Sequence, residues 1–396
     1  MSVLWYEATL NDVCYRITDG AHASPKSVDR GLPMASVKDM TPYGLNLETA
    51  RHISAEDFAT LVRQGCKPQV GDVLIAKDGA TALDTVCVIQ QPIEAVLLSS
   101  VAILRPNADV VLPKFLRYFL DAESTRAYMK AAFTTGAAIP RVVLKDFKRA
   151  RIRYPDMATQ ARICEALSAY DDLIENNTRR IAILEEMARR IYEEWFVRFR
   201  FPGHEGVRMV ESELGLVPEG WVLRRLGDEI QLAYGKALKA EDRRPGEVPV
   251  YGSSGVVGAH DTSLVAAPGI IVGRKGNVGS VHWSEVPFFP IDTVYYVVTH
   301  LPLHYVYFNL QRQNFLNNDA AVPGLNRNQA YSLPLVVPAP GALEAFESHC
   351  QQLLGLSRLL ARKNENLRTT RDLLLPKLIS GEFDVSALPE PEALVA

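Results

Sequence analysis

The chain repeats itself, and the repeat limits what it can fold into more than any other feature. Trp5, Leu10 and Asp12 of WYEATLNDV recur as Trp221, Leu226 and Asp228 of WVLRRLGDE, 216 residues later. GDVLIAKDGAT, from Gly71, resembles PGIIVGRKGNVG, from Pro268, with Lys77 and Gly79 falling on Arg274 and Gly276 at a separation of 197. AAIP (Ala137–Pro140) matches AAVP (Ala320–Pro323), and Pro155 matches Pro338, at 183. The falling separation makes the first copy 33 residues longer than the second. Both copies begin on Trp-x4-Leu-x-Asp and close on a proline.

A helical stretch follows each closing proline. Ile163, Leu167, Tyr170, Ile174, Asn177, Ile181, Leu184, Ala188, Ile191 and Trp195 alternate at spacings of four and three, an a/d seam of about four heptads. Phe346, Leu353, Leu360, Leu367 and Leu374 recur every seven residues, and stepping back by 183 lands on the first seam. Ser357, Asn364 and Arg371 interrupt the second seam, as Asn177 does the first. Such polar residues either fix register inside the seam or sit at an edge of the contact. A helix with one apolar stripe needs a partner for it. Either the two stripes meet as an antiparallel coiled coil, or they serve another subunit.

The expected fold is therefore α+β: two globular modules in tandem, each followed by a long helix. Short β-type runs are Val73–Ala76, Val96–Leu104, Ile270–Val272 and Val294–Thr299, and Lys114–Ala131 and Leu303–Asn314 read as helical. The boundaries are a first module over 1–155, a spacer helix over 156–202, a linker over 203–220, a second module over 221–338, a second helix over 339–383 and an acidic, flexible tail over 384–396. The first helix, about Ala158 to Phe199, would be roughly 60 Å long. The second starts near Gly341 and is expected to end by Pro376, because proline forbids interior continuation.

Composition excludes several classes. No apolar run approaches the ~20 residues of a membrane span, and the N-terminus has no basic and apolar leader pattern. Five scattered cysteines without a CxxC pair argue against disulfides and structural zinc, and for a reducing, cytoplasmic setting. The net charge of −3 conceals a pattern: residues 1–155 carry 19 basic and 16 acidic side chains, and 221–338 carry 10 and 9, while the rest is acidic. Slightly basic modules are compatible with DNA.

Catalytic motifs are missing. There is no P-loop, no G-x-G-x-x-G, no H-E-x-x-H and no G-x-S-x-G. No two prolines adjoin, which excludes the Asn/Asp-Pro-Pro-aromatic tetrapeptide of amino-methyltransferases. Gly252-x-x-Gly255-x-x-Gly258 and Gly273-x-x-Gly276-x-x-Gly279 read as glycine-rich turns.

The modules do offer hydrogen-bond donors on glycine-flanked loops. In the first these are Thr18, Asp19, Gly20, His22, Lys38, Lys77 and Arg141, followed by a cationic run of Lys145, Lys148, Arg149, Arg151 and Arg153 opposed locally by Asp146 alone. In the second they are Tyr234, Gly235, Lys236, Lys239, Tyr251, Ser253, Arg274, Lys275, Asn277, Asn326 and Arg327. Arg and Lys can donate to guanine and Asn can pair with adenine. Hydroxyls and glycine-turn N–H groups suit phosphate oxygens. Any one of these is equally readable as a solvated surface group; as a set at matching places in two copies they point to DNA.

With those residues in view, the whole chain resembles the specificity subunit of type I restriction-modification systems. The strings that carry the resemblance are ITDGAHASP, GDVLIAKDGAT, ARRIYEEWFVRFRFPGHE, ELGLVPEGW, GKALKAEDRRPGEVPVYGSSGVVGAHD and LLLPKLISGEF. The resemblance implies two target-recognition domains that each read half of an interrupted sequence in double-stranded DNA, spaced by two antiparallel helices. It also implies two adenine-methyltransferase subunits docked on the helical region, motor and nuclease subunits joining for cleavage, and no catalytic residue or metal in this chain. S-adenosylmethionine and ATP would bind the partners. Residues Ile163, Tyr170, Leu184, Ile191, Trp195, Phe346, Leu353, Leu360, Leu367 and Leu374 would serve helix–helix or partner contact. The competing reading is a duplicated coiled-coil scaffold that joins proteins without reading DNA.

Overall fold

The structure is a computed structural model that describes residues 4–135, 141–315 and 324–385. The AAIP and AAVP segments and residues 386–396 of the tail lie outside the described residues. The chain divides into two compact units, Met1–Thr178 with Arg362–Ala396, and Arg179–Ala361. Each holds one module with one part of each long helix.

The two modules share one internal plan. In the first, an antiparallel four-stranded sheet runs in the order Cys14–Asp19, Val101–Pro106, Val73–Ala76, Val86–Val88. In the second, Ile230–Tyr234, Val294–Thr299, Gly269–Gly273 and Val281–Ser284 follow in the same order. A three-stranded sheet accompanies each: Leu32–Ala35 between antiparallel Arg51–Ile53 and parallel Val96–Leu97, and Val248–Gly252 between antiparallel Gly255–His260 and parallel Phe289–Pro290. The module ends are tied by Trp5–Thr9 on Arg151–Pro155 and by Val222–Arg225 on Pro334–Val337. Even an isolated bridge recurs, Asp78 with Arg141 and Lys275 with Gly324, at the separations of 197 and 183 found in the sequence. The first copy's extra length includes helices Ala55–Arg63 and Glu123–Phe133.

The central strands Val73–Ala76 and Gly269–Gly273 are buried throughout, and so read as continuous apolar runs. Two expected elements are broken in two. Val96–Leu104 is the short strand Val96–Leu97 and the strand Val101–Pro106. Lys114–Ala131 is two helices meeting at Ala122, whose ψ of 133° is extended.

The first long helix spans Met157–Tyr192 and passes into a π-helical turn over Glu193–Val197, short of the expected end at Phe199. The second spans Pro340–Ser380 and runs straight through Pro376. That overturns the expected stop. An interior proline costs about 3 kcal/mol, but Leu375, Leu378 and Ile379 are buried in the first unit's core, and each contributes roughly 1.5–3 kcal/mol. Packing outweighs the lost hydrogen bond. Residues 203–220 are not merely a polar linker either: Met209–Ser212 pairs with Gly215–Pro218 in a hairpin, turned at Gly215 with φ of 93°.

Within each unit the helix segments run antiparallel. In the first, Asp171 meets Arg371 and Asn177 meets Asn364; in the second, Glu185 meets Ser357 and Trp195 packs on Phe346. Ile163, Trp195, Phe346 and Leu360 are buried, while Tyr170, Leu184, Ile191, Leu353, Leu367 and Leu374 are half-buried. The helix ends merge with the module cores: Ile163 and Leu167 join Phe115 and Phe147, and Tyr192, Phe196 and Phe346 join Tyr305 and Phe308. The paired tryptophans take the helix ends. Trp221 lies 4.9 Å from the Phe201 ring, and a Cβ on Gly381 would come within 2.6 Å of the Trp5 indole.

The two asparagines of the seams meet each other. Asn177 Nδ2 donates to Asn364 Oδ1 at 2.9 Å, and Asn364 Nδ2 donates to the Ile174 carbonyl and Thr178 Oγ1, each at 3.2 Å. Both are buried, so they lie inside the contact, not at its edge. Replacing Asn364 alone by leucine is expected to lower stability by about 1–3 kcal/mol, because the Asn177 amide is left without its partner. Leucine at both positions is expected to recover that loss while relaxing the register that a buried polar pair selects. Urea unfolding of the two variants checks this; equal losses in both would refute the coupling.

Candidate nucleic-acid interface

In the second module the glycine-flanked loops converge on one sheet end. Strand Ile230–Tyr234 delivers Tyr234 and Gly235. The Gly235 N–H donates to the Val294 carbonyl, and Lys236 N–H to that of Pro290. A Cβ on Gly235 would lie 2.0 Å from the Ile291 carbonyl oxygen, so only glycine allows this approach. Arg274 follows strand Gly269–Gly273. Its backbone N–H binds the Thr293 carbonyl, and its guanidinium donates to the Asp292 carbonyl from Nε at 2.9 Å. The Leu325 N–H donates to the Arg274 carbonyl and brings in the 324–327 segment.

The result is an aromatic–guanidinium platform. Arg274 and Arg327 lie 5.4 and 5.1 Å from the exposed Tyr234 ring, and Tyr295 and Tyr331 flank them. Burial, with neighbouring Tyr234, pushes the Tyr295 hydroxyl up to about 12, so it remains a donor. The ring contacts help hold both guanidiniums at this end; Arg274 spends Nε and Nη2 on the Asp292 carbonyl, which leaves Nη1 to donate outward. Exposed Lys275 and Asn277 sit on the adjoining turn, and the Asn277 N–H donates to Ser253 Oγ at 3.3 Å. Ser253 is held in turn, its carbonyl accepting from Ser280 Oγ and lying 3.1 Å from His282 Nε2.

Two expected readers have other work. Tyr251 is buried against Phe288, with its hydroxyl donating to the Trp283 carbonyl; its apolar ring is core, not surface. Asn326 caps helix Arg327–Ser332, its Oδ1 accepting from the N–H groups of Asn328 and Gln329. Paired bidentately with adenine, it would have to give up that cap.

In the first module the equivalent end is built differently. Lys77 is 2% exposed, and its Nζ pairs with buried Asp19 at 3.0 Å and with Asp78 at 3.7 Å. It is thus a buried structural cation rather than a DNA donor. Asp19 and Lys77 occupy the places of Tyr234 and Arg274, so an ion pair in one copy stands where a cation–π pair stands in the other. Gly20 repeats Gly235: its N–H donates to the Val101 carbonyl, and a Cβ would lie 2.2 Å from the Leu97 carbonyl oxygen. Both glycines serve close backbone packing. Exposed His22 reaches Asp19 at 3.2 Å, and half-exposed Arg141 reaches Asp78 at 3.2 Å. Thr18 lies half-buried in the strand opposite Ile103. Exposed Lys38 sits on a turn whose Val37 N–H donates to Ser100 Oγ, while the Ser100 carbonyl accepts the Lys77 N–H. Lys145 is exposed on helix Leu144–Arg149, outside this cluster. The cationic run after it also faces Glu7, which pairs with Arg153 at 3.4 Å across the ladder.

The sequence reading missed Asp78, the 291–293 turn, Tyr295 and Tyr331. The only signal for them was position: Asp78 falls on Lys275 at the separation of 197. Among the described residues no group of three or more His, Cys, Asp or Glu could hold a metal ion, and no helix is long and apolar enough to cross a membrane. Every cysteine is buried, and burial pushes the thiols of Cys14, Cys87, Cys164 and Cys350 up to about 12.

Residues 45–186 match the family model described as the type I restriction modification DNA specificity domain. The chain is 26% identical over 315 residues to the specificity subunit of type I restriction enzyme MjaIX from Methanocaldococcus jannaschii, covering 71% of each. It is 21% identical over 365 residues to that of HindI from Haemophilus influenzae, covering 71% of this chain and 80% of the other. Over most of its length the chain is thus similar to type I restriction enzyme specificity subunits. Its fold agrees: the crystal structure of the S subunit from M. genitalium superposes with a TM-score of 0.58, at 16% identity, over 95% of this chain and 96% of that one.

Proposed function

We propose that this chain is a specificity subunit that reads a two-part DNA sequence, one part with each module, and directs adenine-methyltransferase subunits to it. The observation that carries the reading is the repeated sheet end. Two copies of one framework, built around Gly20 and Gly235, carry different side chains: exposed His22 and Arg141 around the buried Asp19–Lys77 pair in one, and Tyr234, Arg274, Lys275 and Arg327 in the other. One duplicated frame with two chemistries suits two different half-sites. A scaffold that only joined proteins would have no use for that difference.

The chain itself contributes recognition, and the chemistry belongs to partners: methyltransferase subunits that bind S-adenosylmethionine, and motor and nuclease subunits that bind ATP. An assembly that acts on the host's chromosomal DNA would work in the cytoplasm. The test is single-molecule mapping of adenine methylation in host DNA with and without this gene. Loss of one interrupted motif is the expected outcome. An unchanged methylome, with the methyltransferase shown to be expressed, would refute the proposal.

A further inference from the structure

The first module carries a second cationic surface beside the reading end. A groove of about 610 Å³ is lined by Thr9, Asn11, Tyr128, Ala132, Phe133, Lys148, Arg149 and Arg151, with no carboxylate among the described residues that line it. Lys148 and Arg149 end helix Leu144–Arg149, and Arg151 opens the strand that pairs with Trp5–Thr9, opposite Thr9. All three cations are exposed. Among the described residues no carboxylate pairs with Lys145, Lys148 or Arg151, while Arg149 reaches Asp146 only at 3.9 Å.

The groove is continuous in the chain with the reading end. Arg141 stands at that end beside Asp78. The six-residue helix that follows spans roughly 9 Å and carries Lys145 part-way along. Arg141, Lys145 and the groove's three cations therefore follow one another along the chain, from the candidate reading end to the groove. Its donors are ammonium, guanidinium, hydroxyl and amide groups, the set that binds phosphate oxygens without regard to base identity. The second copy does not repeat it: Tyr331, Ser332 and Pro334 stand where Lys148, Arg149 and Arg151 do.

We propose that this groove takes the phosphodiester backbone of DNA flanking the half-site read by the first module, as a contact that adds affinity and no sequence preference. The inference rests on the DNA-reading function above. An extended polyanion fits the observations better than an acidic protein face, because the cations follow one another along the chain from the candidate reading end.

The test uses the full chain with the subunits that co-purify with it. Binding is titrated over a range of salt on a duplex carrying the methylated motif and on one with both halves scrambled. K148A/R149A/R151A is expected to lose affinity by the same factor on both duplexes, and to flatten the slope of log K against log salt by about 2–3. Lys148→Glu, a single change on an exposed helix end, should shift both duplexes in the same sense. An unchanged salt slope in the triple variant, with wild-type discrimination intact, would overturn the groove assignment and leave the reading function standing. Loss of a co-purifying subunit at an unchanged slope would assign the groove to an acidic protein partner and overturn it equally. Failure of the wild type to discriminate the two duplexes would sink both proposals.

Discussion

Replacing Asp171 by alanine is expected to destabilise the first unit by about 3–5 kcal/mol, the loss typical when one partner of a buried ionic group is removed. Asp171 accepts from Arg117 Nη1 at 2.7 Å, the Tyr118 hydroxyl at 2.8 Å and Arg371 Nη1 at 2.6 Å. It thereby joins a module helix to both long helices within that unit. Arg117 is 5% exposed and would keep only Asp121, at 3.5 Å. Burial works against the charge on Arg371, but Asp171 and Asp372 more than offset it and hold its pKa above the usual value. Without Asp171, Asp372 alone is left to offset it. Hydrogen exchange over 113–121 and 157–178 reads the effect where it arises, and protection at the wild-type level would refute it. Leucine at 171 with methionine at 117 and 371 should recover much of the stability, because an apolar cluster of similar volume needs no countercharge.

Gly235→Val is expected to remove reading of one half-site. The new Cβ would lie 2.0 Å from the Ile291 carbonyl oxygen and 2.5 Å from that of Pro290, so strand and turn must separate. The bonds from Gly235 N–H to Val294 and from Lys236 N–H to Pro290 are then lost, together about 2–6 kcal/mol if the groups stay dry. The same turn holds Arg274 through the Thr293 and Asp292 carbonyls, so the Tyr234–Arg274–Arg327 platform loses its support. Methylation at the complete motif should fall to background, while hydrogen exchange in the first unit stays at its wild-type level. Gly20→Val should act in the same way on the other half-site. Full methylation by either variant would show that these glycines do not hold the reading ends.

The duplication and the two seams were legible because they rest on periodicity. Three separations, 216, 197 and 183, frame the two copies, and the last two reappear in the bridges Asp78–Arg141 and Lys275–Gly324. The candidate site was legible as a set of loops but not residue by residue. Lys77 and Arg274 occupy one position, yet the first is sealed against Asp19 and the second lies over Tyr234. Exposure of a side chain depends on what a distant segment places over it, and no local pattern encodes that.

By itself, the sequence determined that two α+β modules alternate with two amphipathic helices, since apolar spacing and glycine placement are properties of the chain alone. Only the tertiary structure decided that Pro376 stays helical, that Asn177 and Asn364 satisfy each other, and that Tyr251 is core while Tyr234 is surface. Each of those outcomes is a competition between a local preference of a few kcal/mol and burial against residues far away in sequence. The winner depends on contacts that exist only once the chain has folded.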